Sequence, residues 1–330
     1  MADYNKSVLY DYHIESGAKF SPAFTWNLVQ YYSEGAIFEQ QYAEKHAVIF
    51  DNSHLSKFRL TYDKSCENEL DKNFYYPISS LTASSVSENA VSDKNGNFIA
   101  IKIMKMADND LFTIGACESK KALDVIFKDL SVNKKLKNFA YYDLTYDLGG
   151  IYLFGPEAEN VLSMQENKEI SLFKDLDKCG IITINDFRYI AFATKINDNY
   201  VYQFFASEDG IEDLWVDLYN TDPIKPMGIV AATSLELEHK NIFYNNKDDK
   251  AIVICKLPSR RQVYENTPVF AENEESKEIG KTLKSFYSNK YDTAMTYAEI
   301  EKIYAKSTNL YIKNENICIK AEIIRVFDLT

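Results

Sequence analysis

The chain has 330 residues, 46% of them hydrophobic, which exceeds one ordinary core and predicts two or three domains. A formal charge of −12 and a pI near 5.0 argue against nucleic acid and anionic membrane surfaces as partners. Five scattered cysteines without a CxxC pair predict neither a disulfide framework nor a structural zinc site, and suit a reducing cytoplasm.

No apolar run reaches about 18 residues and the N-terminus has no apolar h-region, so neither a membrane span nor a secretory signal is expected. Along the chain, residues 36–48 place Ile37, Tyr42, Ala43, His46 and Ala47 at helical intervals and predict an amphipathic helix running into Ile49-Phe50 and a polar turn. In residues 57–62, Phe58, Leu60 and Tyr62 alternate with polar partners, as a strand does, and residues 64–72 read as a short surface helix. The Lys94-Asn95-Gly96-Asn97 turn followed by alternating residues 98–106 predicts a hairpin. A strand over 111–116 and a helix over 120–130 complete a self-contained unit, closed by a lysine-rich loop at 133–138.

Residues 149–162 read as a buried strand, a tight Gly155-Pro156 turn and a helix. Residues 182–196 and 199–207 form a predicted hairpin, followed by a helix over 210–220. The last 80 or so residues mix short strands (AIVICKL, NLYIKN, ICIKAEIIRVF) with polar turns, a pattern of small β-barrels or jelly rolls.

Several segments carry a resemblance when taken in order. They are LYDYHIESGAKF, Trp26, the stretch AEKHAVIFDNSHL with its Phe50-to-His54 turn, LFGPEAENVL, and MGIVAATSLELE at 227–238. Together they resemble the folate-binding aminomethyltransferase family, typified by the T-protein of the glycine cleavage system. The resemblance implies an α+β fold, a three-domain cloverleaf around a funnel that admits tetrahydrofolate. A discontinuous first domain (1–54 plus 141–243) would receive an inserted α+β domain (55–140), with a C-terminal β domain at 244–330. It also implies one-carbon transfer, aminomethyl or methyl, from a small amine or sulfur compound, with a lipoyl carrier protein as a further partner. A non-catalytic scaffold for folate or another ligand is the alternative.

The family's site positions are largely replaced here. Its paired Asp falls on Ala100-Ile101, and neither side chain can accept a proton. Its folate-flanking Tyr corresponds to Glu88, its pterin-binding Glu to Gln203 beside Tyr202, and a later Arg to Ala232. An amide offers one acceptor oxygen and one donor group where a carboxylate can pair two N–H donors. Trp26, with Tyr31 and Tyr32, is implied to line the opening, and Glu238 matches a family position on the helix after the pterin-binding loop.

Asp93 is the nearest acid that could substitute at the funnel, although capping its own turn is the commoner use of such a residue. Asp108 lies on the other side. Ser53 and His54 are adjacent in a turn and predict structural hydrogen bonding rather than a nucleophilic dyad. His13, His46 and His239 lack metal-ligand spacing. Arg260-Arg261 could meet a folate glutamyl tail, since guanidinium pairs carboxylates bidentately, but reads first as an exposed pair.

Overall fold

The computed structural model describes residues 4–164, 177–196, 199–239, 249–272, 276–314 and 317–327, in two compact units, Met1–Ala231 and Ala232–Thr330. The first opens with α1 (Tyr10–Glu15), a two-stranded hairpin of β1 (Lys19–Ala23) and β2 (Trp26–Tyr31), α2 (Ala36–Ala43) and β3 (Val48–Asp51). Next come β4 (Ser56–Thr61), α3 (Glu67–Leu70), β5 (Ser85–Ser92), β6 (Phe98–Ala107), β7 (Asp110–Gly115), α4 (Lys120–Ser131) and β8 (Ala140–Asp143). The unit continues through β9 (Gly149–Phe154), α5 (Ala158–Met164), β10 (Cys179–Ile184), β11 (Phe187–Ile196), β12 (Asn199–Ala206), α6 (Glu208–Tyr219) and β13 (Lys225–Pro226). Helix α7 (Ile229–His239) leads into the second unit.

Two sheets result. The five-stranded one, ordered β5-β6-β7-β4-β8, uses only residues 56–143, whereas the six-stranded one, β10-β11-β12-β9-β3-β13, draws on residues 48–51 and 149–226. Strand alternation explains their cores. Phe58, Leu60, Ile101 and Ile103 pack on one face against Leu123, Ile126, Phe127 and Leu130 of α4. Those four helical side chains are each at most 6% exposed, and each contributes about 1.5–3 kcal/mol by leaving water. In the larger sheet Ile151, Leu153, Tyr202 and Phe204 face Leu214, Trp215 and Leu218 of α6.

Glycine is required at one turn above others. Gly155 has φ of +117°, and a Cβ there would lie 1.9 Å from the His46 carbonyl oxygen. Beside it, His46 Nδ1 and Glu157 Oε2 are 3.0 Å apart.

The second unit is a closed barrel, β14-β17-β16-β15-β18-β19, built from β14 (Lys250–Lys256), β15 (Pro268–Phe270), β16 (Glu278–Ser288), β17 (Thr293–Glu301), β18 (Asn309–Asn314) and β19 (Ile317–Phe327). The AIVIC run of β14 is continuous because both of its faces are covered. Ala251, Val253 and Cys255 point into the barrel, while Ile252 and Ile254 pack outside with Phe286, Tyr297 and Leu237.

Two elements depart from the sequence expectation. The helix predicted over 36–48 ends at Ala43, because Val48 and Ile49 are wholly buried as strand β3 between β9 and β13. The strand predicted over 182–196 is two strands, split by Asn185 and Asp186, whose φ of 48° and 69° make a tight reversal. The second compact unit runs from Ala232, and Leu237 of α7 packs with the barrel's outer cluster.

Candidate functional site

The two sheets of the first unit share a seam. On the faces away from their helices, Val86, Met104, Phe112 and Ile114 of the smaller sheet pack with Cys179, Phe192 and Phe205 of the larger. Directly opposed residues in an antiparallel sheet share a face, so the registers define rows. Across the larger sheet runs Cys179, Phe192, Gln203, Tyr152 and Phe50. Across the smaller sheet runs Glu88, Lys102, Ile114 and Lys57. The Lys102 ammonium joins the rows, 5.1 Å from the centroid of the Phe192 ring and 3.0 Å from Glu88 Oε1. One pair further along β5 and β6, on this same face, stand Ala90 and Ala100.

Gln203 is 5% exposed, and its Oε1 accepts from Asn52 Nδ2 at 3.3 Å, leaving its own amide nitrogen as a donor in this assignment. Tyr152 and Phe50 supply rings in edge contact at 6.3 Å, and Phe50 meets the His54 ring at 5.9 Å. The row is aromatic and largely buried, with Phe50 at its more open end. Lys57, fully buried, donates through Nζ to the carbonyls of Ser53 (2.7 Å) and Leu55 (2.8 Å). Burial pushes its ammonium down to about 7, against the opposing pull of Asp51 and Asp143.

A second polar group lies under β2 and β3. Tyr32 Oη is 2.9 Å from His13 Nδ1, and His13 Nε2 is 2.8 Å from Asp51 Oδ2, around a cavity of about 20 Å³ also lined by Trp26 and His54. Burial would raise the Asp51 carboxyl, but the hydrogen bond and charge of His13, with Ser53, hold it well below the usual range. Burial lowers His54 from 6.5 to about 4. Between those values the unfolded chain binds the His54 proton and the folded chain does not, so stability falls as pH drops from 6.5 to 4. This group's share is about 3 kcal/mol. We predict that His54→Gln flattens the wild-type pH dependence over that window in urea titrations; an unchanged slope would refute the assignment.

The residues singled out in the sequence divide between these places and others. Gln203, Glu88 and Ala100 lie on the seam faces, with Ala100 exposed and Glu88 engaged by Lys102. Tyr202 does not join Gln203: strand alternation turns it to the opposite face, 3% exposed in the α6-side core, where burial raises its phenol. Trp26 is 5% exposed, stacked on Tyr146 at 5.8 Å. Tyr31 is exposed on β2.

Asp93 caps its own turn, accepting from the Asn95 and Asn97 backbone N–H groups at 2.8 and 2.9 Å. The Asn97 side chain and backbone N–H hold its carboxyl below the ordinary value. It lines a groove of about 660 Å³ with Lys121, Val125 and Asp129 of α4, on the helix side of the sheet, away from Ala100. Asp108 pairs with Lys64 at 2.6 Å. Ser53 Oγ accepts from the Gly150 N–H at 2.9 Å, a structural bond.

In the second unit, Glu238 accepts from Ser288 Oγ, Glu236 is exposed, and Arg260 pairs with Asp292 at 2.6 Å. Ala232 is buried at 6% exposure. Residues 242–244 lie outside the described residues. Among the described residues no three His, Cys, Asp or Glu side chains are grouped to hold a metal, and no helix is long and apolar enough to cross a membrane. Lys102 went unrecognised in the sequence. Its signal was its place two residues beyond Ala100 in an alternating strand, which fixes both on one face.

The architecture defines a class: two α+β sheets, one made wholly from a segment set within the other, and a six-stranded closed barrel. The same fold occurs in the glycine cleavage system aminomethyltransferase T of Bartonella henselae, with a TM-score of 0.83 at 14% identity, over 97% of this chain and 96% of that one. The GCVT N-terminal domain family model matches residues 9–254, and the chain belongs to that family. Aminomethyltransferases of Staphylococcus carnosus (24% identical over 241 residues) and Leptospira interrogans (23% over 261) are similar across 72% and 75% of this chain. The match spans 64% of the Staphylococcus protein and 67% of the Leptospira protein.

Proposed function

We propose that this chain binds tetrahydrofolate and passes a one-carbon unit, aminomethyl or methyl, from a small amine or sulfur compound to it. Family membership supports the reading. The observation that carries it is the buried Gln203–Asn52 amide pair set in the Phe192–Gln203–Tyr152–Phe50 row. Rings suit a flat heterocycle, and an amide with a donor to spare suits the polar edge of a pterin. These residues fit the cofactor's ring.

They do not fit the usual proton handling, since Ala100 presents only a methyl group. When bound, tetrahydrofolate supplies the nitrogen that accepts the one-carbon unit. Gln203 orients the ring edge, Tyr152 and Phe50 keep water from it, and the proton shed at the nitrogen passes to solvent. A non-catalytic ligand scaffold is the second reading, favoured by the methyl at Ala100 and by the engagement of Glu88 with Lys102.

Calorimetry with tetrahydrofolate tests both. Micromolar binding is expected for the wild type, weakened about tenfold or more in Gln203→Leu by loss of a buried hydrogen-bonding group. An absence of heat with the wild type overturns the folate reading. Binding without turnover of dimethylglycine-like, betaine-like or lipoyl-aminomethyl donors selects the scaffold.

A further inference from the structure

The ion pair at the edge of the seam is lopsided. The Lys102 side chain is 15% exposed and pinned over Phe192, whereas its partner Glu88 is 51% exposed. The lysine is built in, and the glutamate is a solvated side chain free to swing away. A half-exposed ion pair contributes little net stability, so exchanging one carboxylate for another at Lys102 is close to even in energy.

What lies beside the pair favours such an exchange. On the same face the next cross-strand pair is Ala90, which is buried, and Ala100, which is exposed and whose small methyl leaves a shallow step. Beyond it stands Phe98, in edge contact with Tyr75 at 5.4 Å, and Tyr75 in turn meets Tyr76 at 4.8 Å. At about 3.4 Å per residue, Lys102 and Phe98 flank the step about 14 Å apart along the strand. One wall is therefore cationic and the other aromatic, the pattern that recognises a small carboxylate whose other end is apolar or a methylated amine.

We propose that Lys102 anchors the carboxylate of the one-carbon donor, which displaces Glu88 and lies across the exposed Ala100 step toward Phe98 and Tyr75. Lys102 is thus a specificity-determining residue, and the donor class is a methylated amino acid rather than a simple amine. This assignment of the ligand as donor rests on the one-carbon reading above; the carboxylate site itself does not require folate.

The test titrates N,N-dimethylglycine, and separately trimethylamine, its counterpart without the carboxylate, into the full chain by calorimetry. Loss of a charge-assisted hydrogen bond predicts about 30-fold weaker dimethylglycine binding in Lys102→Met, with Lys102→Arg staying within about threefold of wild type. Glu88→Gln removes the competing carboxylate and is expected to tighten dimethylglycine binding a few-fold. Trimethylamine should not distinguish these variants. Wild-type affinity in Lys102→Met, no binding to the wild type, or equal losses in Lys102→Met and Lys102→Arg each overturn the anchor. Tetrahydrofolate titrated into the same samples separates the two proposals. Folate binding with dimethylglycine indifferent to Lys102 sinks only the anchor, and no folate binding alongside a Lys102-dependent carboxylate sinks only the folate reading.

Discussion

Gly155→Ala should cost the first unit more than about 4 kcal/mol, enough to leave it largely unfolded at 37 °C. Two penalties act together. A φ of +117° is ground that L side chains rarely occupy, and the new Cβ would sit 1.9 Å from a backbone oxygen, that of His46, which cannot move aside as a flexible side chain could. The strand β9 that ends at this turn pairs with both β3 and β12, so the strain falls on the middle of the sheet. Hydrogen exchange would show protection lost in residues of β3, β9 and β12. A variant whose melting temperature stays within about 2 °C of wild type would show that the turn does not need glycine.

Ala100→Asp should raise one-carbon transfer to tetrahydrofolate about 100-fold or more over the wild type, the low end of what a positioned acid–base group supplies. Position 100 is exposed, so the carboxylate enters without a buried-charge penalty; because it shares its face with Lys102 and competes there with a donor carboxylate, the gain is read at saturating donor. The structural cost is the modest one of Asp in a strand, up to about 1 kcal/mol. Single-turnover formation of the one-carbon folate adduct is the readout. Unchanged turnover in a variant that still binds folate would mean that a missing proton acceptor is not what limits the chain.

Sequence pattern revealed most where one side of an element carries polar residues. Phe58, Leu60, Ile101 and Ile103 take the helix side of their sheet while Lys57 and Lys102 take the seam side, so the strands alternate although both faces are covered, and α4 shows its apolar stripe because its other side is solvated. Pattern failed where both faces are apolar. Val48 and Ile49 carry no alternation because β3 is an interior strand, so they read as the tail of a helix. The Asn185-Asp186 reversal was readable as a hairpin dipeptide, but the apolar residues either side of it look like one run.

At the site, the replacement of the carboxylates was visible as bare letters, Ala100 and Gln203. Their surroundings were not. Asn52 reaches Gln203 from 151 positions away, and Phe192 comes under Lys102 only because two sheets built from separate stretches meet along a seam. A strand's parity can be read from neighbours in the chain, and that parity separates Tyr202 from Gln203. Contact between sheets cannot be read this way.

Glu39 is 4% exposed, and its two carboxylate oxygens receive the backbone N–H groups of Tyr32 and Gly228. Burial raises this carboxyl, and those two bonds oppose the rise. The second donor arrives 189 residues after the acid, together with β13, which adds the last edge of the larger sheet alongside β3. During synthesis, then, an interior acid near the start waits half-satisfied until residue 228 has left the ribosome. A nascent chain arrested before that point should remain protease-sensitive around β3 and become resistant once α7 has emerged.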